Sequence, residues 1–119
     1  MIKGIGIDII EIDRIAKALD RHENAFIKRI FTRNEQISNH ENILNYYAGR
    51  FCAKEAVVKA LGTGFRGITW QDIEILNDAS GKPYVNLSPE ISKRFDSPNL
   101  LISITHSKTV ASAFCLWQG

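Results

Sequence analysis

Two carboxylates in the sequence fall at positions where apolar residues are expected. Asp8 interrupts the isoleucine-rich strand pattern IKGIGIDII, and Glu55 lies on the apolar stripe of a predicted long helix, between Phe51 and Val58. Burying a carboxylate among apolar side chains is unfavourable unless a partner compensates it. A bound metal ion, or a cleft that admits a ligand, would provide that compensation, and both indicate chemistry at this position.

Each of these carboxylates also has a purely structural interpretation. Glu55 is placed to form an ion pair with Lys59 on the same helix, but an exposed pair of this kind contributes only about 0.3–0.5 kcal/mol. Asp8 would, at a strand end, cap the helix that follows. Gly4 and Gly6 share the face of Asp8, and glycines there predict close approach by another backbone or by a ligand.

Taken together, Asp8 and Glu55 match a site for a hard cation. Two carboxylates with water molecules are the usual protein contribution to a Mg²⁺ ion that also holds substrate phosphates. The chain has no cluster of histidines and cysteines with the spacing of zinc ligands. The sequence therefore predicts magnesium-assisted chemistry on a phosphate compound, with Asp8 and Glu55 as the metal ligands.

Several groups near these carboxylates, or at loops, are candidates for binding phosphate. Two lysines flank Glu55 on the helix, and the Gly-Thr-Gly sequence that follows presents backbone N–H groups of the kind that hold phosphate oxygens. A helix C-cap explains the first of these glycines equally well. The THSKT segment near the C-terminus adds polar donors at a predicted hairpin. The candidates are Lys54, Lys59, Gly62, Thr63, Gly64, His106, Ser107 and Lys108.

A basic stripe runs along the first predicted helix. Arg14, Lys17 and Arg21 recur at i, i+3 and i+7, so they share one helix face. The simplest interpretation is a solvated surface. The functional alternative is a dock for an acidic helix of a partner protein.

Length, charge and cysteine usage limit the possible classes of protein. The 119 residues make one domain, residues 1–119, and a net charge of +2 is too small to indicate nucleic-acid binding. Cys52 and Cys115 occur singly, which favours reduced thiols in a reducing cytosol over a disulfide. Because Asp8 interrupts the apolar N-terminal stretch, we expect neither a signal peptide nor a membrane span, and a cytoplasmic location.

The order of elements predicts an α+β fold with a mostly antiparallel sheet packed against one long helix. A strand over 2–10 precedes a helix from about Asp13. The predicted elements that follow are a short helix at 26–31, a helix started by the Thr32–Glu35 capping box, the long helix at about 42–61, a hairpin of DIEIL and PYVNL, a helix from Ser88-Pro89, and a hairpin of NLLISITH and VASAFCLW.

These motifs, in this order, resemble those of a known family. GIGIDIIEIDRI at 4–15, AGRFCAKEAVVKALGTG at 48–64, DIEILNDASGKPYV at 72–85 and SITHS at 103–107 are similar to segments of the holo-acyl-carrier-protein synthases. These are the short bacterial members of the 4′-phosphopantetheinyl transferase superfamily. The resemblance covers essentially the whole chain. It implies the fold of that superfamily, a homotrimer with sites between subunits, and a function in fatty acid biosynthesis.

The activity implied by the resemblance is transfer of 4′-phosphopantetheine from coenzyme A to a serine of apo acyl carrier protein, with release of adenosine 3′,5′-bisphosphate. Asp8 and Glu55 would then bind Mg²⁺, and Lys59 would stabilise charge on the transferring group or help to remove the serine proton. The resemblance assigns coenzyme A binding to Arg50, Lys54, Lys59, Gly62, Thr63, Gly64, His106 and Ser107, and carrier-protein binding to Arg14, Lys17 and Arg21. Thr105 replaces a serine that is more usual in the family.

Two other functions fit the same residues. Two carboxylates and a nearby lysine also suit a magnesium-dependent nuclease, in which Asp8 would be a metal ligand. The basic stripe that includes Arg14 also suits a module without catalytic activity that docks an acidic protein. The leading interpretation expects a carrier protein and coenzyme A as partners, and neither nucleic acid nor a membrane.

Overall fold

The structure is a computed structural model that describes residues 1–36 and 42–119. The predicted α+β class is confirmed. The elements are β1 (Ile2–Glu11), α1 (Ile12–Ile30), α2 (Ile43–Leu61), a 3₁₀ turn (Trp70–Asp72), β2 (Ile73–Asn77), β3 (Pro83–Leu87), α3 (Pro89–Arg94), β4 (Asn99–His106) and β5 (Val110–Gln118). Within the described residues, no helix is both long enough and apolar enough to cross a membrane.

All strand pairs in the described residues are antiparallel. Strands β1, β5 and β4 form one sheet in that order, and β2 and β3 form a separate hairpin. In the larger sheet, Asp8 lies opposite Ala113 of β5, and Ile104 of β4 flanks the same alanine on its other side. One face of this sheet packs against α2, so the predicted arrangement of a sheet on one long helix is confirmed.

The glycines of β1 allow α2 to approach the sheet closely. A Cβ atom at Gly4 would lie 2.0 Å from the carbonyl oxygen of Ala60, and one at Gly6 would lie 1.9 Å from that of Ala56. Both distances are far below van der Waals contact, so only glycine fits at these positions. The predicted close backbone approach is thus confirmed, and it places Asp8, the next residue on this face of β1, beside α2.

The predicted end of α2 at Gly62 is confirmed, and the structure adds a side-chain cap at the start of the helix. The Asn42 side chain accepts a hydrogen bond from the Asn45 backbone N–H, and Gly62 ends the helix with a left-handed φ of 79°. The N-terminal helix differs from the prediction, because α1 continues to Ile30 through a kink at His22. The predicted short helix at 26–31 is therefore the second arm of α1.

The segment after α1 forms the predicted capping contacts in a turn. The Thr32 N–H donates to Glu35 Oε1 at 2.8 Å, and the Glu35 N–H donates to Thr32 Oγ1 at 3.3 Å. Residues 33–35 adopt a turn and not the first turn of a helix. The remainder of the predicted helix falls on 37–41, outside the described residues.

Candidate active site

The fold brings Asp8, Glu55 and Lys59 together. Lys59 Nζ donates to Asp8 Oδ1 at 3.2 Å and to the carbonyl oxygen of Ile7 at 2.9 Å. Glu55 lies one helical turn before Lys59 and is half-buried. The two carboxylates, predicted separately from β1 and from α2, therefore form one cluster with a lysine beside it.

The charge of Asp8 acts on Glu55 in this cluster. Burial raises the pKa of Glu55, the negative charge of Asp8 raises that pKa further, and the Lys59 ammonium opposes the rise. Like charges that share a partly buried site are stabilised by a cation. An all-oxygen set of two carboxylates fits Mg²⁺, which commonly keeps water and substrate phosphate as its other ligands. No group of three His, Cys, Asp or Glu side chains that could hold a metal occurs among the described residues.

Cys52 lies behind the carboxylates, a neighbour that sequence reasoning did not identify. Its Sγ donates to the carbonyl oxygen of Ala111 at 3.4 Å. Burial raises the pKa of this thiol to about 12, and the charges of Asp8 and Glu55 add to the effect. The thiol is therefore protonated at neutral pH in the metal-free protein, which makes it a poor nucleophile. Cys52 and Cys115 are both free and buried.

A second candidate site is a cleft between the first half of α2, the end of β4 and the β2–β3 hairpin. The cavity measures about 590 Å³ and includes both Arg50 and His106 in its lining. Arg50 is 8% exposed, its Nη2 donates to Asn77 Oδ1 at 2.9 Å, and its guanidinium lies 4.2 Å from the ring centroid of Tyr46. Arg50 Nε is buried and has no hydrogen-bond partner in the described part of the chain. This donor needs an acceptor, which a ligand phosphate would provide.

The sequence did not predict the side chains that surround His106 and Arg50 in this cleft. The Nδ1 atom of His106 lies 3.4 Å from Nδ2 of Asn45. A neighbouring cavity of about 640 Å³ continues past Arg50 to Arg33 and Tyr84. Neither Asn45 nor the hairpin residue Asn77 was predicted as a site residue, and only the fold reveals that they border the arginine.

The Gly-Thr-Gly segment lies at the opposite end of α2 from His106. Residues Gly62 and Gly64 both have positive φ, and Thr63 Oγ1 donates to the Gly64 carbonyl oxygen at 2.8 Å. The helix from Asn45 to Gly62 is about 25 Å long, at 1.5 Å per residue. Ser107 Oγ instead accepts from backbone N–H groups in the β4–β5 turn. One chain therefore does not gather all the residues predicted to bind coenzyme A.

Lys54 does not face either cavity, and its predicted contact with a ligand is wrong. Its ammonium is fully buried and donates to Glu35 Oε1 at 2.6 Å, to the Ile30 carbonyl oxygen at 2.8 Å and to the Trp70 carbonyl oxygen at 3.0 Å. Burial lowers the pKa of Lys54, and Glu35 counteracts that effect. All three hydrogens of the ammonium are satisfied inside the protein, so Lys54 is a structural residue.

The predicted basic stripe borders a groove on α1. Arg14, Lys17 and Arg21 line a cavity of about 540 Å³ together with Arg29 from the second arm of the helix. Ala18, Ala25 and Phe26 add apolar surface. Lys17 also forms an exposed ion pair with Asp13 at 3.2 Å. The groove thus combines cations with apolar side chains, a combination that the charge spacing alone did not predict.

Comparisons with known proteins show the family of this chain. The family model described as 4′-phosphopantetheinyl transferase superfamily matches residues 4–114. The holo-[acyl-carrier-protein] synthase of Protochlamydia amoebophila is 56% identical over 122 residues, covering 100% of both chains.

Solved structures of similar proteins have the same fold. A crystal structure of holo-[acyl-carrier-protein] synthase from Neisseria meningitidis has a TM-score of 0.93 with 35% identity, over 100% of both chains. The Bacillus anthracis synthase, solved in complex with CoA (3′,5′-ADP), has a TM-score of 0.82 with 42% identity, over 98% of this chain and 96% of that one. The resemblance seen in the motifs is therefore confirmed, and the chain belongs to the 4′-phosphopantetheinyl transferase superfamily.

Proposed function

We propose that this protein transfers 4′-phosphopantetheine from coenzyme A to a serine of apo acyl carrier protein. The observation that carries the proposal is the cluster of Asp8, Glu55 and Lys59, in a chain whose relatives are named holo-[acyl-carrier-protein] synthases. The proposal includes a cytoplasmic location and a function in fatty acid biosynthesis.

In the proposed reaction, the serine hydroxyl attacks the phosphorus that bears the pantetheine group. A new P–O bond forms, the pyrophosphate P–O bond breaks, and adenosine 3′,5′-bisphosphate leaves. Mg²⁺ held by Asp8 and Glu55 would neutralise charge on the phosphate oxygens. Lys59 would stabilise charge on the transferring group or, once its ammonium has lost a proton, accept the proton of the serine hydroxyl. Arg50 would bind a phosphate of coenzyme A through its Nε, which has no hydrogen-bond partner among the described residues.

The proposed assembly is a homotrimer with sites between subunits. Ile5, Ile7 and Ile9 are 61–66% exposed on the face of β1 turned away from α2, and Phe114 of β5 lies opposite Ile7. A contiguous apolar sheet face of this kind favours burial against another chain. Sites between subunits would also account for the separation, within one chain, of the cleft from the Gly62–Gly64 segment at the other end of α2.

Replacing Ile7 by glutamate is expected to break this assembly, because it places a charge in the centre of the apolar face. Light scattering should then give the mass of one chain, against three for the wild type, and transfer activity should fall with it. Ile43→Glu is the matched control, since Ile43 is 42% exposed on α2, outside this face. A wild-type protein that is fully active as a monomer would contradict the proposed assembly.

The groove on α1 is the proposed dock for the acidic carrier protein. Arg14→Glu reverses one charge there, and we expect the apparent KM for carrier protein to rise roughly tenfold, with little change in the KM for coenzyme A. Lys93→Glu is the matched control, because Lys93 is exposed on α3 and does not line the groove. Equal effects of the two substitutions would exclude this groove as the dock.

Product analysis by liquid chromatography tests the reaction itself. Coenzyme A should disappear, and adenosine 3′,5′-bisphosphate should form, in equal amounts and only when the carrier protein has its serine. A carrier protein with that serine changed to alanine is the control. If the protein instead cleaves DNA or RNA with Mg²⁺, and loses that activity on replacement of Asp8, the nuclease interpretation is correct.

A further inference from the structure

We propose that Lys59 occupies the cation position of the carboxylate cluster until a divalent cation binds, and that the metal must displace its ammonium from Asp8. The inference rests on the proposed function for the identity of the metal site. It makes Lys59 a positioning residue for the metal-free site, in addition to its proposed function in the reaction.

The contacts of Lys59 support this assignment. Its Nζ lies 3.2 Å from Asp8 Oδ1 and 2.9 Å from the Ile7 carbonyl oxygen, so two acceptors from neighbouring residues of β1 hold the ammonium. No hydrogen bond to the Glu55 carboxylate forms within residues 1–36 and 42–119. The ammonium is therefore paired directly with Asp8, and it acts on Glu55 only at longer range.

The exposure of the two partners determines which of them can move. The Lys59 side chain is 51% exposed and the Asp8 side chain 17%. An ammonium on a flexible four-carbon stem regains its hydration readily when it leaves a half-exposed ion pair, and such pairs contribute little free energy. Asp8, in contrast, is on a strand that α2 holds closely at Gly6. Metal binding would therefore move the Lys59 side chain and leave the Asp8 carboxylate in place.

A divalent cation and the Lys59 ammonium would compete for Asp8 because both are positively charged. A divalent cation on Asp8 and Glu55 would repel an ammonium that remained 3.2 Å from the same Asp8 oxygen. Displacement would release Nζ from Asp8 and from the Ile7 carbonyl oxygen, which would free the ammonium to act on a substrate phosphate. Binding of a metal by Asp8 and Glu55 and availability of the Lys59 ammonium would therefore be coupled.

Binding of Mn²⁺ to the full chain, without coenzyme A or carrier protein, tests the inference through the free Mn²⁺ signal in electron paramagnetic resonance. Lys59→Met should bind Mn²⁺ at least about fivefold more tightly than the wild type, and Lys59→Arg should bind with nearly wild-type affinity. Lys93→Met controls for net charge and should leave the affinity unchanged. Adding Asp8→Asn to Lys59→Met should remove the gain. Equal or weaker binding by Lys59→Met overturns the inference.

A second measurement uses the unaltered protein. Acetic anhydride modifies exposed, unpaired lysines, and peptide mass spectrometry gives the extent of modification at Lys59. Mg²⁺ should increase modification at Lys59 but not at Lys93, and an unchanged extent at Lys59 overturns the inference. Neither measurement includes transfer, so a protein that shows the competition but no product would refute the proposed function alone.

Discussion

Replacing Glu55 by alanine is expected to lower the rate of phosphopantetheine transfer by roughly 10³-fold or more, because preorganised charge at a reacting phosphate is commonly worth that much. The substitution leaves Asp8 as the single carboxylate of the cluster. Steady-state transfer at saturating coenzyme A and carrier protein measures the loss. Glu90→Ala, which removes an exposed carboxylate on α3, is the matched control and should retain full activity.

Removal of the Glu55 charge is expected to leave the protein folded, and the pKa of Glu55 gives the reason. Its folded-state pKa is raised, mainly by burial and then by Asp8. A carboxyl group with a raised pKa contributes stability that is complete below its unfolded pKa and is lost as pH rises through its folded pKa. Without metal at pH 7, Glu55→Gln should therefore be at least as stable as the wild type in urea. A large loss of stability would show that Glu55 is a structural residue and not a metal ligand.

Breaking the buried pair of Glu35 and Lys54 is expected to lower the free energy of unfolding by about 3–5 kcal/mol. Glu35→Ala leaves the Lys54 ammonium buried without its carboxylate, and it also removes the acceptor for the N–H groups of Thr32, at 2.8 Å, and Ile75, at 2.7 Å. Urea unfolding at one fixed protein concentration gives the change, since assembly makes stability depend on concentration.

The double variant Glu35→Leu/Lys54→Met separates the cost of an unpaired charge from the value of the pair. It removes both charges from a fully buried position, so it should recover the part of the lost stability that comes from the unpaired Lys54 ammonium, but not the part that comes from the N–H groups of Thr32 and Ile75. Lys82→Met, at an exposed position in the β2–β3 turn, controls for loss of a lysine. A cost below about 1 kcal/mol for Glu35→Ala would contradict the structural role assigned to the pair.

Local patterns in the sequence predicted most of the fold. Alternation identified β1, helical periodicity and Gly62 identified α2 and its C-terminal end, and the glycines of β1 indicated close approach of a backbone. The sequence also predicted that Asp8 and Glu55 act as a pair. Burial of either carboxylate among apolar residues is unfavourable, and one cation would compensate both charges.

The error at Lys54 has a physical cause. Almost every side of α2 is buried, so helical periodicity did not separate the face toward the cluster from the face toward Glu35. Lys54 and Glu55 are adjacent, and a rotation of about 100° per residue sends them to different environments. The partner of Lys54 lies in a turn distant in the sequence, and no local signal identifies such a contact.

We propose that this chain transfers phosphopantetheine with the help of a divalent cation. The most direct measurement is the intact mass of apo acyl carrier protein after incubation with this protein, coenzyme A and Mg²⁺, beside a sample with excess EDTA. We expect a gain of one phosphopantetheine with Mg²⁺ and no gain with EDTA. No gain from folded protein and a carrier that another transferase modifies, or a gain that EDTA leaves unchanged, would contradict it.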